Sequence, residues 1–404
     1  MTPHDASDLL RLPDGAVLRS ARAEDLAALE ALTADREGAD DAVDLRLVAQ
    51  TPGGLDSIGL VEKDGRILAT ATLLDEHIRV GSVTLTSGQI ELVATARDAE
   101  GRGYSRALMN WCHARSASRG HVVQVMIGIP NFYRQFGYHY SIPMHPWAPT
   151  ARVVPAPGGL TLTAATLSDQ TELQHLQDVA QSTYDIAVPH SADCWSWLLQ
   201  HPSSTQWIAR DSAGEGQGVA RIYDDGDGSV VVGELTATTH AVTTALIAHA
   251  QALAGAEGTV RVSHRPHVPG LADLLGAPER PEWYYVRIPD PEALFNALAP
   301  ELLRRLHATG RATGDALISF YRSHLRLAWS SDRLEVTRGG PLQAPVSMGG
   351  SGVPLDALGS LLFGGGAAAI DERFPDALLG RQEELMRELF PPQRADLLTF
   401  YLPS

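Results

Sequence analysis

Along residues 16–150, short apolar runs alternate with stretches whose apolar residues recur every three or four positions, the pattern of strands and helices taken in turn. Strands are predicted at 16–20, 57–63, 66–74, 77–85, 90–95 and 122–129, and helices at 23–34, at 44–49 and from Tyr104 onward. Asp64-Gly65 between two of the strands is a strong signal for a tight hairpin. In the helix that starts at Tyr104, the residues Tyr104, Ala107, Leu108, Trp111 and Cys112 fall on one face. Such an order builds an open α/β sheet.

Pro143, Pro146, Pro149, Pro155 and Pro157, ending in Gly158-Gly159, resist both helix and sheet, so a domain boundary is expected there. From Leu160 the order begins again: strands at 161–165, 206–210, 219–223, 230–236 and 260–264, with helices at 169–183, 192–200 and 240–254. Pro289-Asp290-Pro291 marks a second boundary. Beyond it come an amphipathic helix at 292–307, paired strands at 325–329 and 333–337, and a short apolar helix from Pro354 ended by Gly364-Gly365. Units of 1–150, 151–289 and 290–404 follow, in line with a prior of roughly 150 residues per domain.

Composition narrows the function classes. The 404 residues are 44% hydrophobic and 20% charged, ample for globular cores, and none of the apolar runs is long enough for a membrane span. The first residues carry Asp5 and Asp8 where a secretory leader would be basic, so a cytoplasmic protein is expected. A net charge of −16 disfavours nucleic acid as partner and suits a cationic one, although solubility alone explains it equally well. Cys112 and Cys194 give neither a disulfide framework nor a zinc spacing and read as small buried hydrophobes. The histidines form no ligand set, so no metal is expected.

The chemistry gathers around residues 93–106. An apolar strand drops into a turn with Gly101 and Gly103 and passes into a helix, so successive amides can point at one ligand. A helix start attracts anions because its first N–H groups lack intrahelical partners and the dipole is positive there. A pyrophosphate fits. A dinucleotide fingerprint would place a third glycine at Arg106, which is absent. Glu100 brings an acid to the same loop; 4 Å from a phosphate it would cost about 4 kcal/mol, so its side chain has to point away.

With this loop stands Asn131-Phe132-Tyr133-Arg134-Gln135-Phe136-Gly137-Tyr138, after the strand at 122–129. The pair of motifs resembles the GCN5-related N-acetyltransferase (GNAT) superfamily. That resemblance implies acetyl-CoA as co-substrate, with Val93, Ala94 and Thr95 pairing with the pantetheine arm, Gly101, Arg102, Gly103, Tyr104, Ser105 and Arg106 holding the pyrophosphate, and Gly128 and Ile129 making a third contact. Asn131 is a further candidate for the arm. The second unit has Thr238-Thr239-His240-Ala241 where the glycine loop would lie and reads as a degenerate copy.

Leu358-Gly359-Ser360-Leu361-Leu362-Phe363-Gly364-Gly365 and the elements around it resemble the sterol-carrier-protein-like domain that closes the Eis (enhanced intracellular survival) acetyltransferases. The resemblance then covers nearly the whole chain and implies two tandem GNAT folds, the second degenerate, followed by a sterol-carrier-like α+β domain. It also implies a polycationic amine acceptor, such as an aminoglycoside, a polyamine or a basic peptide, and a homo-oligomer, hexameric in the family.

On the same resemblance Tyr133 is the proton donor to the departing thiolate, a transfer uphill by roughly 2 kcal/mol for an ordinary phenol. The base is the terminal carboxylate, here that of Ser404. Glu91 competes for the role from the strand, where period-two alternation puts it on one face with Val93 and Thr95. A non-catalytic acyl-CoA or apolar-ligand binding protein is the alternative from another class.

Overall fold

The computed structural model describes residues 9–225 and 228–397 as a mixed α/β fold around three sheets. The chain opens with β1 (Leu10–Arg11), β2 (Val17–Ser20), helices α1 (Leu26–Arg36) and α2 (Ala39–Gln50), and strands β3 (Ile58–Lys63), β4 (Arg66–Val80) and β5 (Val83–Thr95). Helix α3 (Tyr104–Ser118) crosses to β6 (Val123–Met126), parallel to β5, and β7 (His139–Pro143) and β8 (Trp147–Pro149) follow. The proline-rich passage therefore holds two strands, with Pro143 and Pro149 at their ends, where a missing N–H is tolerated.

Separate strands at 66–74 and 77–85 give way to one long hairpin. β4 and β5 pair from Ala69 opposite Thr95 to Val80 opposite Val83 and turn at Gly81-Ser82. Asp75 and Glu76 look like a break in the apolar pattern, but from Leu74 to Ile78 the strand alternates strictly, with Asp75 and His77 exposed and Glu76 buried.

The second stretch contains β9 (Thr161–Ala164), α4 (Gln170–Gln181), β10 (Ile186–Val188), α5 (Ala192–Gln200), β11 (Ser204–Arg210), β12 (Gly216–Asp224) and β13 (Ser229–Ala237). After these come α6 (His240–Ala254), β14 (Thr259–Ser263) and β15 (Trp283–Arg287). The last stretch has α7 (Pro291–Ala308), β16 (Gly314–Ser319), β17 (His324–Trp329), β18 (Leu334–Gly339) and β19 (Ser351–Gly352). It ends with α8 (Leu355–Phe363), α9 (Gly366–Arg373), α10 (Glu383–Leu389) and β20 (Ala395–Leu397).

The first sheet runs β1-β2-β3-β4-β5-β6-β15-β7, the second β8-β14-β13-β12-β11-β9, and the third β18-β17-β16-β19. The first two repeat one plan: a bulged antiparallel pair (β4/β5, β12/β13), a parallel neighbour (β6, β14), and a helix between (α3, α6). They also exchange strands. β15 lies in the first sheet between β6 and β7, and β8 lies in the second beside β14. Strand pairing thus crosses the expected seam at 150, and β20, paired parallel to β10, which itself joins the first sheet at β4, crosses the one at 289.

The cores cross them as well. One apolar cluster joins Ile78, Leu85 and Val125 of the first sheet to Phe295, Leu358 and Phe390 of the last stretch. Another joins Leu45 and Val48 of α2 to Trp195 and Leu198 of α5. Glu301 of α7, itself buried, accepts from the Ser82 amide and hydroxyl at 3.3 and 3.2 Å and so fastens the tip of the long hairpin. Among the described residues no helix is long and apolar enough to cross a membrane.

Candidate active site

The site begins with a defect in the first sheet. Ala71 of β4 faces two residues of β5, Leu92 and Val93, because Thr70 pairs with Ala94 while Thr72 pairs with Glu91. This extra residue is a β-bulge, and Leu92 takes a left-handed φ of 52° to make it, a conformation unfavourable for a branched side chain. β5 pairs with β6 only over Ser87–Gln89, opposite Val123–Val125, and beyond that the two strands part. Among the described residues the β6-facing edge of β5 from Ile90 to Thr95 then has no strand beside it, an edge that an extended amide chain can join.

The bulge also changes which side chains share a face. Leu92 packs into the cluster with α1 and α2, whereas Val93 packs on the α3 side with Ile90. The expectation that Glu91, Val93 and Thr95 lie on one face does not survive it, since one inserted residue shifts the period-two count.

At the end of β5 the loop rises to α3. Gly101 and Gly103 have φ of 76° and 84°, and Gly103 is the N-cap of the helix with no side chain closing its first amides. An L side chain at either φ would be strained by about 1 kcal/mol or more, so the glycines serve backbone shape. The first intrahelical bond runs from the Ala107 amide to the Gly103 carbonyl at 3.0 Å, so the amides before Ala107 have no partner within the helix.

The loop's side chains are largely engaged elsewhere. Glu100 turns to Arg36 at 2.7 Å, as the electrostatics of an anion site require. Arg102 donates to the Asp98 carbonyl at 3.0 Å, and Arg106 stacks on the Phe136 ring and binds Gln135. Ser105 and Thr95 share a hydrogen bond of 3.0 Å. Tyr104 is turned inward, its phenol on Asp14, so it offers the loop its backbone alone. Ala94 is buried, while Ile129 is exposed at the far rim.

Tyr133 sits in a short 3-10 turn after β6, ringed by Phe132, Phe136, Tyr138 and Tyr285. Gly128 is required under it: a Cβ there would overlap the Tyr133 ring. Asn131 reaches the turn through a left-handed φ of 67° and donates its amide to the Tyr285 hydroxyl at 2.9 Å. Among the described residues the Tyr133 hydroxyl has no hydrogen-bond partner. Burial, and then the charges of Glu91 and Glu37, push the phenol well above its ordinary value, so it stays protonated. Burial likewise pushes the Cys112 thiol up to about 12, which removes it as a nucleophile.

Tyr133 and the free edge of β5 open on a cavity of about 670 Å³ lined by the first sheet, the second sheet and the end of β20. Its walls carry acids from three directions: Glu37, Asp41 and Asp44 near α2, Glu91 on β5, and Asp224, Asp225 and Glu234 of the second sheet. Burial raises Glu37, Asp41 and Asp44 above the usual carboxylate range, Asp44 the most. Burial would raise Glu234 too, but Arg221 at 3.0 Å and His190 at 2.9 Å outweigh it and hold that carboxyl at about 2.

Glu91, which is 5% exposed, accepts a hydrogen bond from Gln89 at 2.6 Å. On the opposite wall Asp396 of β20 is buried against Arg265 at 3.0 Å, His145 at 2.9 Å and Gln181 at 3.0 Å. That cluster brings Leu397 to the cavity. Ser404 lies outside the described residues. Gln89, Arg221, Glu234, Arg265 and Asp396 were not legible as site residues, because they come together from segments far apart in sequence and carry no local motif. Among the described residues no cluster of His, Cys, Asp and Glu is placed to hold a metal.

A model of the acetyltransferase (GNAT) domain matches residues 33–141, from the end of α1 into β7. A search of curated proteins finds no match. Among solved structures, 98% of the chain is similar to all of a GCN5-related N-acetyltransferase from Kribbella flavida, at 16% identity and a TM-score of 0.68. A GCN5-related N-acetyltransferase from Anabaena variabilis ATCC 29413 is matched over 95% of this chain and 99% of its own, at 12% identity and a TM-score of 0.71. Eis1 from Mycobacterium abscessus is matched over 95% and 99%, at 15% identity and a TM-score of 0.60. At these identities the likeness is one of fold, and it runs nearly end to end.

Proposed function

We propose that this N-acetyltransferase, which carries its GNAT domain at residues 33–141, moves an acetyl group from acetyl-CoA to a primary amine of a polycationic small molecule. The observation that carries this reading is the cavity, which joins the open edge of β5 and Tyr133 to walls bearing acids from two sheets. An amine with several positive charges meets such walls favourably at more than one point, and the field draws it in.

The residues present fit acetyl-CoA. The amides before Ala107 suit a diphosphate, and the β6-facing edge of β5 suits the amide-bearing arm, whose thioester supplies the acetyl group. Tyr133 hands its proton to the departing sulfur. Its raised pKa makes an early transfer costlier than the roughly 2 kcal/mol of an ordinary phenol, so the proton moves as the carbon–sulfur bond breaks. Glu91 takes a proton from the incoming ammonium, directly or through water.

We keep the Ser404 carboxylate as the competing base, and the division into two GNAT-like units and a sterol-carrier-like unit as part of the proposal. The similarity to Eis1 supports an aminoglycoside among the amines to be tried. Free-thiol release from acetyl-CoA, measured with aminoglycosides, polyamines and basic peptides and paired with mass detection of a 42-dalton gain, tests the reading. If no amine stimulates release, the chain is the non-catalytic acyl-CoA or apolar-ligand binder instead. Glu91→Gln lowers kcat by about 100-fold if Glu91 is the base, whereas removing residues 398–404 does so if the tail supplies it.

A further inference from the structure

Behind Glu91 lies a buried polar chain that the reaction as described does not use. Tyr284 of β15 donates its hydroxyl to the Gln89 carbonyl oxygen at 2.7 Å, and the Gln89 amide nitrogen donates to Glu91 Oε1 at 2.6 Å. Gln89 is 1% exposed and Tyr284 is fully buried.

The direction of this chain is set by what each group can offer. An ionised carboxylate only accepts, so it requires the NH₂ side of the Gln89 amide. That leaves the amide oxygen for Tyr284, whose hydroxyl must then donate. Burial pushes the Tyr284 phenol well above its ordinary value, so the donor is always present. If Glu91 were protonated, the amide would lose its reason to present NH₂ to it. The arrangement thus selects one protonation state and one orientation of Glu91.

We infer that Gln89 and Tyr284 are positioning residues for Glu91, holding its carboxylate ionised and aimed at the acceptor end of the cavity. The inference rests on the reading of Glu91 as the base. It also gives the exchanged strand a part in the chemistry, because Tyr284 belongs to β15, inserted beside β6 from the far side of the second unit.

The test is the pH profile of kcat/KM for the amine in full-length wild type, Gln89→Leu and Tyr284→Phe, with Glu91→Gln alongside. The titratable and charged groups that share Glu91's surroundings are Glu76 of β4, Tyr133 of the 3-10 turn, Tyr284 of β15, Glu37, Asp41 and Asp44 at and before α2, and Arg221 and Glu234 of the second sheet. All but Tyr284 stay in place in every variant, so a difference between profiles reports the relay. Loss of the Gln89 donor moves the acid limb up by at least one pH unit, and loss of the Tyr284 hydroxyl moves it by about half as much, since a hydrogen bond to a charged group outweighs a neutral one. KM for acetyl-CoA is unchanged in both.

Tyr284→Phe, a loss of one oxygen atom, carries the test if Gln89→Leu fails to fold. If Glu91→Gln is inactive and the acid limb of the folded relay variants coincides with wild type, the inference is overturned while the base reading stands. If Glu91→Gln retains wild-type activity, the base reading falls and takes the inference with it.

Discussion

The two repeated sheets hold the same parts and treat their helix starts in opposite ways. In the first, Gly103 leaves the opening amides of α3 without a side-chain cap. In the second, Thr239 caps α6 through the Val242 amide at 3.3 Å, and Gly270 lies so close to His240, the helix's first residue, that a Cβ on it would overlap the imidazole. One helix end is available to an anion and the other is satisfied by its own chain. A shared fold therefore does not carry the site; a few residues at one helix start do.

The largest test of this contrast is Tyr133→Phe, which has no counterpart in the second sheet. It lowers kcat by at least about 100-fold, while acetyl-CoA binding measured by calorimetry stays near wild type. Unchanged turnover would end the case for the first sheet as the reacting one. Next, Gly103→Val forces a β-branched residue into a left-handed backbone and raises KM for acetyl-CoA by about tenfold with little change in kcat. The mirror experiment is Thr239→Ala, which lowers stability by about 1 kcal/mol in urea melts and leaves that KM alone.

The sheets also differ in how they keep a buried carboxyl. Glu234 is ionised by Arg221 and His190, whereas burial and then Asp75 push Glu76 up to about 8. Between the ordinary glutamate range and about 8, the folded chain keeps a proton that the unfolded chain has released, so stability falls as pH rises through that window. Glu76→Gln removes this loss. It is more stable than wild type at pH 7 by up to about 3 kcal/mol, a difference that vanishes in melts near pH 4. The smallest effect is that of Arg36→Ala, which frees Glu100 toward the loop and raises KM for acetyl-CoA about twofold, less at high salt.

Much of the first sheet was legible because its signals are local. Asp64-Gly65 marked the β3/β4 hairpin, and the two glycines marked the start of α3. The missed features are ones that neighbours along the chain do not determine. The bulge at Leu92 is set by pairing with β4, and its effect, moving Val93 to the other face from Glu91, is invisible to a period-two count. β15 is five residues long, and its partners β6 and β7 lie far earlier in the chain, so nothing near Trp283 announces the pairing. Tyr133 could be picked out from its motif, but the carboxylates around it come from three regions and became a site only on folding.

The crossing of β8 and β15 between sheets works as a clasp. A fragment cut near residue 150 would lack the strand that belongs between β6 and β7 and would carry β8 away from its partner β14, leaving unpaired edges ready to join other copies. The two halves are thus bound to melt together, and a calorimetric trace of the whole chain has one shared peak for them where loosely tethered modules would give two.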